Sequence, residues 1–129
     1  MTQSEEHRKA VIEYWWEKAN ASVLSAKREF DAGAYSFAIN RIYYALYYAV
    51  SAVLFARNLS FKKHSGVRAA FHREIVKTGL IATKWGKLYD RLFEDRQEGD
   101  YVAMVEFERE YVETQLTSST EFLNVLRKL

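Results

Sequence analysis

Cysteine and proline are both absent from these 129 residues, and glycine occurs only five times. Without cysteine there is no disulfide, no thiolate nucleophile and no cysteine-ligated zinc, and a reducing cytoplasm fits the chain. Strands and loops usually need proline and glycine as punctuation, so their scarcity points to helices. Long apolar runs are missing too. The longest uncharged stretch, Ile42 to Ala56, carries four tyrosines and falls short of the roughly 20 residues a bilayer span requires. It reads as a buried core helix, and no contact with a membrane is expected. The segment Met1 to Lys9 is polar with mixed charge, unlike a signal peptide.

What the chain does contain is a globular mixture, 49% hydrophobic and 28% charged, at a length that suits one domain over residues 1–129. The net charge of +2 conceals a segregation. Between Arg57 and Lys77, six basic residues face only Glu74, a local +5. Between Glu94 and Glu113, eight acids face Arg96 and Arg109, a local −6. Such a split invites complementary packing between subunits or partners, and the basic part suits an anionic ligand.

Apolar spacing predicts five helices in an all-α, up-and-down antiparallel bundle, four long and one short. The first spans about Glu5 to Ala32, with Ile12, Trp15, Trp16, Ala19, Val23, Ala26 and Phe30 on one face and Gly33 as its stop. The second, about Tyr35 to Arg57, is apolar around nearly its whole circumference, which requires burial on several sides. Asn58 to His64 reads as a loop. Ser65 then caps a short helix ending at Gly79. A fourth helix covers about Ala82 to Glu94. Gly99 marks a turn, and Asp100 caps a last helix from about Tyr101 to Lys128.

Familiar catalytic signatures are missing. The glycines stand alone, so no phosphate-cradling loop is present. His7, His64 and His72 make no chelating pair one helical turn apart, and neither a metal nor a cofactor is expected. Two constellations remain. Lys62, Lys63, His64 and Arg68 gather at the start of the short helix, where backbone N–H groups favour an anion, with His72 one turn beyond Arg68. The alternative is a solvated basic face with Ser65 only capping. At the next junction, Arg96-Gln97-Glu98-Gly99-Asp100-Tyr101 offers an arginine fork, a carboxylate and a phenol that could hold a phosphate or ribose. There the alternative is that Asp100 caps and Arg96 pairs with Asp95 or Glu94.

Three pieces in this order resemble the HEPN domains, within them the small stand-alone branch of uncharacterised proteins. They are Asn40-Arg41-Ile42-Tyr43-Tyr44-Ala45-Leu46-Tyr47-Tyr48-Ala49, then Lys63-His64-Ser65-Gly66, then Arg96 to Tyr101, so the likeness runs from about Trp16 to Leu126. The resemblance implies a helical bundle that dimerises and, in many members, a metal-independent ribonuclease acting as a toxin or in defence. Stand-alone members are frequently paired with a small nucleotidyltransferase as antitoxin. In active members an arginine is followed some four to six residues later by a histidine near the start of the last helix. Arg96 takes the arginine place, whereas Asp100 and Tyr101 stand where the histidine should be.

That departure matters for chemistry. Cleavage through the 2′-OH needs a group that exchanges protons near neutral pH, as histidine does, while aspartate is a weak base and tyrosine stays protonated. His64 or His72 would have to supply it, if the fold brings either near Arg96. Three readings follow. One is a ribonuclease in which Arg96, Asp100 and Tyr101 form the catalytic set. Another is a module that binds nucleotide or RNA through Lys62, Lys63, Arg68 and Arg96, with His64 in the same basic stretch, without cleaving. The third is a helical partner subunit of a nucleotidyltransferase. A homodimer is expected because the second helix has more apolar circumference than five helices easily cover.

Overall fold

The computed structural model describes residues 2–101 and 106–129, with the side chains of those residues outside 98–101. The order is α1 (Gln3–Asp31), α2 (Tyr35–Ala56), α3 (His64–Phe71), α4 (Thr83–Tyr101) and α5 (Arg109–Arg127), and a π-helical turn, His72–Val76, continues α3. The expected all-α bundle is the one observed, with no strand among the described residues.

Helix α1 opens on a capping box: the Glu5 N–H donates to the Thr2 hydroxyl and the Thr2 N–H donates to the Glu5 carboxylate, each at 3.2 Å. It stops where Gly33 takes φ +75°, a left-handed conformation that a side chain resists. The Gly33 N–H then bonds Phe30 O at 3.0 Å and the Ala34 N–H bonds Glu29 O at 2.9 Å, the paired bonds of a Schellman stop. Only three residues separate α1 from α2, so the two run antiparallel.

Helix α2 is the centre of the bundle and packs against α1, α3, α4 and α5. Ala38, Ile39, Ile42, Tyr43, Leu46, Ala49, Val50, Val53 and Leu54 are buried around it. The apolar circumference that suggested a second subunit is largely covered within one chain. Its end repeats the Schellman pattern with Asn58 at φ +64° in place of glycine: Asn58 N–H to Phe55 O and Leu59 N–H to Leu54 O, both 2.9 Å. The loop that follows delivers α3 against α2 and α4.

Two boundaries differ from expectation. Helix α3 starts one residue before Ser65, with Lys63 at the cap position and no side-chain cap bond, so Ser65 is the second residue of the helix. Helix α4 does not turn at Gly99 but continues to Tyr101, and the last helix begins at Arg109 after Glu108. Asp100 therefore lies within α4 rather than at the start of the last helix. Glycine in a helix costs about 1 kcal/mol relative to alanine, which a helix already anchored by buried Tyr89, Leu92 and Phe93 absorbs. No helix among the described residues is long and apolar enough to cross a membrane.

Candidate functional site

The tyrosines of α2 sit at i, i+1 and i+4, which turns Tyr43, Tyr44 and Tyr47 toward the ends of α3 and α4. Two chemically active side chains meet them there. From α4, the Arg96 guanidinium carbon lies 5.1 Å from the Tyr43 ring centre and 5.8 Å from that of Tyr44, both within cation–π range. Its Nη1 donates to the Tyr44 hydroxyl at 3.2 Å. From the first residue of α3, the His64 ring stacks on Tyr47 with centres 4.2 Å apart and an interplanar angle of 8°. Its Nδ1 shares a 2.8 Å hydrogen bond with the Tyr43 hydroxyl.

Electrostatics in this corner follow from burial and from Arg96. Burial pushes the Tyr43 phenol up to about 12, so it stays protonated at any physiological pH. His64 moves the other way: partial burial, then the positive charge of Arg96, hold its pKa below the ordinary histidine value. A neutral imidazole thus lies beside a permanent cation. Arg96 Nε is buried and has no hydrogen-bond partner among the described residues.

A second cluster adjoins the first. Arg68 Nε donates to Asp90 Oδ1 at 2.7 Å, and His72 Nε2 meets the same oxygen at 2.8 Å. Arg68 Nη2 also lies 3.8 Å from Glu94, and its guanidinium stacks 4.5 Å above the Phe93 ring centre. Phe93 in turn lies edge-on to Tyr43, their centres 6.0 Å apart. His72 occupies the first position of the π-helical turn and presses on Gly86, where a Cβ would fall 2.9 Å from His72 Cε1. Glycine at 86 is what lets α4 approach the histidine.

Of the residues singled out by sequence, Arg96 and His64 share one tyrosine surface. Arg68 and His72 do lie one turn apart on one face, as expected, but both are bound to Asp90. Lys62 is exposed and Lys63 is exposed at the α3 cap, beside His64. Arg96 bonds Tyr44 rather than pairing with Asp95 or Glu94; Asp95 accepts from Tyr111, and Glu94 faces Arg68. The Asp100 and Tyr101 side chains lie outside the described residues. Sequence reading missed Asp90, and it treated the tyrosines of α2 as packing when they also form the floor of this corner. Their one-sided spacing was the available signal. Among the described residues no group of three or more His, Asp or Glu converges to hold a metal ion.

Known proteins align with this arrangement along almost its whole length. A Thermotoga maritima protein named "UPF0332 protein" is 48% identical over 122 residues, which is 95% of this chain and 92% of that one. Two proteins of Methanocaldococcus jannaschii are also similar. "Putative toxin MJ0142" is 33% identical over 120 residues (93% of this chain, 82% of that one), and "Putative toxin MJ0605" is 30% identical over 112 (87% and 83%). The profile of the HEPN domain matches residues 12–129, taking in the tyrosine helix, the His64 corner and the Arg96 helix together. An all-α bundle with that match over most of its length belongs to the HEPN domain family.

Proposed function

We propose that the chain is a toxin-like, metal-independent ribonuclease in which His64 performs the proton transfer that Asp100 and Tyr101 cannot. The observation that carries this reading is the meeting of His64 and Arg96 on the Tyr43 ring, from two different helices. In the tautomer whose Nδ1–H donates to Tyr43, His64 Nε2 has a lone pair to accept the 2′-OH proton. The resulting alkoxide attacks phosphorus, the bond to the 5′-oxygen breaks, and a 2′,3′-cyclic phosphate forms. The leaving oxygen takes up the proton from the imidazolium. Arg96 stabilises the extra negative charge of the phosphorane. Lys62 and Lys63 draw in the neighbouring phosphates, while Asp100 and Tyr101, one helical turn beyond Arg96 in sequence, orient it or bind the ribose. Arg68 takes a lesser part in binding than its charge suggests, because Asp90 already holds it.

The toxin names of the archaeal relatives support a biological setting of this kind, and with it an antitoxin partner. That partner is a small nucleotidyltransferase, the pair acts in the cytoplasm, and the working unit is a homodimer of one domain per chain, residues 1–129. A nucleotidyltransferase gene beside this one, with co-purification of the two products, is the expected finding.

Cleavage of RNA in the presence of a chelator tests the chemistry. Arg96→Ala should abolish it, and His64→Ala should slow it by about a hundredfold or more, the usual loss with a general base. His72→Gln should leave the rate per folded molecule nearly unchanged. Cleavage indifferent to both Arg96 and His64 would remove the site. RNA that binds with a steep salt dependence but is never cut would leave a binding module instead.

A further inference from the structure

Helices α4 and α5 meet through the rings of Trp85 and Phe122, which stack with centres 5.3 Å apart and an interplanar angle of 7°. Beside that contact lies a groove of about 310 Å³, lined by Lys84, Lys87 and Arg91 of α4 and by Gln115, Ser118 and Glu121 of α5. The three cations stand at i, i+3 and i+7 and so share one face of α4. All three are exposed, and none is ion-paired among the described residues. Lys84 Nζ lies 4.7 Å from the Trp85 ring centre, while Arg91 reaches the Tyr111 phenol, which in turn donates to Asp95. Asp90, next to Arg91 in sequence, is engaged by Arg68 and His72. Against Glu121, the three cations leave the lining with a surplus of two positive charges.

A second observation points the same way. Gln115 is 6% exposed, yet its side-chain amide makes no hydrogen bond with any described residue. An amide buried without a partner costs stability, and an oxygen of a ligand in the groove would supply the missing acceptor. The half-buried Ser118 hydroxyl, three residues on, adds another donor. We infer that this groove is a binding site for phosphate groups, separate from the His64–Arg96 corner. Five donor-bearing side chains line one short groove, and a phosphate brings more oxygens to them than a carboxylate does, with Arg91 able to grip two at once. The phosphate belongs either to a small free polyphosphate anion or to the backbone of a bound RNA strand, and the same donors serve both. The inference goes beyond the ribonuclease reading and does not rest on it, because no residue of the groove takes part in that chemistry. Arg96, on the same helix, faces Tyr43 and Tyr44 instead.

Trp85 reports on occupancy, since Lys84 lies over its ring. Inorganic tripolyphosphate, or a 2′-O-methyl oligouridylate that cannot be cut, should change tryptophan fluorescence in the wild type. The change should vanish in Trp85→Phe, which keeps Trp15 and Trp16. Lys87→Gln and Arg91→Gln should each weaken binding about tenfold, the size of one lost charge-assisted hydrogen bond. Gln115→Leu should weaken it about fivefold, as loss of a neutral hydrogen bond does, with a urea midpoint no lower than that of the wild type. A response to tripolyphosphate supports the site with a free anion as its ligand. A response to the oligouridylate alone, falling steeply with salt, supports it with RNA as the source. No Trp85 response to either probe, or a response untouched by Lys87→Gln and Gln115→Leu, would overturn the site. Tighter binding of oligoglutamate than of both phosphate probes would overturn it too, and would make the groove a dock for an acidic protein segment. Arg96→Ala, which should abolish cleavage, should leave this titration unchanged, so the two readings fail separately.

Discussion

At the scale of single residues, the pair that matters is His64 and Tyr43. The Tyr43 hydroxyl is held protonated by burial, so the 2.8 Å bond to His64 Nδ1 persists across the physiological range. Tyr43→Phe keeps the ring and removes that bond, and should cost about 1 kcal/mol of stability by urea denaturation. His64 itself has a folded-state pKa below its unfolded value. The unfolded chain therefore binds a proton more readily, and the folded form is disfavoured as His64 charges. This contribution to stability is complete above about pH 6.5 and is lost as the pH falls through the folded pKa. Denaturation midpoints measured from pH 8 down to pH 5 should fall less steeply in His64→Gln than in the wild type. Cleavage, which needs the neutral ring, should likewise keep its rate at pH values where an ordinary histidine is half-charged. An ordinary histidine midpoint in the wild-type rate profile would contradict the assignment.

At the scale of elements, much of the bundle was legible because helical spacing is a local property. The α1 face and its stop at Gly33 follow from residues three and four apart, and from one glycine placed to adopt positive φ. The tyrosine run was recognisable as a core helix because it is apolar all round. What was not legible depended on packing between elements. Asp100 and Gly99 look like a helix start when read alone, yet α4 is held by buried residues earlier in the helix and carries through them. The π-helical turn at His72 has no sequence signature; it accompanies the close fit of His72 between Asp90 and Gly86. Gly86→Ala should therefore displace the His72 ring and lower stability by about 1–3 kcal/mol, as overpacking does. His72→Ala in the same chain should recover part of that loss, because the clash partner is gone. Asn58 offers a cleaner case. Its φ of +64° is one that asparagine tolerates and alanine does not, so Asn58→Ala should cost about 1 kcal/mol while Asn58→Gly costs little or nothing.

At the scale of the whole molecule, the candidate site is an assembly of three helices that no local pattern could join. Sequence alone singled out Arg96 and His64 for separate reasons, thirty-two positions apart, and only the packing of α3 and α4 on α2 puts both against Tyr43. The same packing changes the argument for a dimer. Since α2 is covered by its own chain on most sides, its apolar circumference no longer calls for a partner as a whole. Phe37, in the first turn of α2, is 69% exposed and is the large apolar residue of that helix left in water. It borders a groove that also contains Tyr35 and Phe107 and is rimmed by Glu106, Glu108 and Arg109. An exposed aromatic ring beside charges of both signs suits a self-complementary contact, in which the acids of one copy meet the arginine of the other. If α2 contributes to the homodimer, Phe37 is the residue through which it does so. Phe37→Glu should then yield a monomer by light scattering at micromolar concentration, with helix content unchanged by circular dichroism. A variant that remains dimeric would move the interface to the exposed Tyr14 and Leu24 of α1, and a wild type that is already monomeric would remove the dimer altogether.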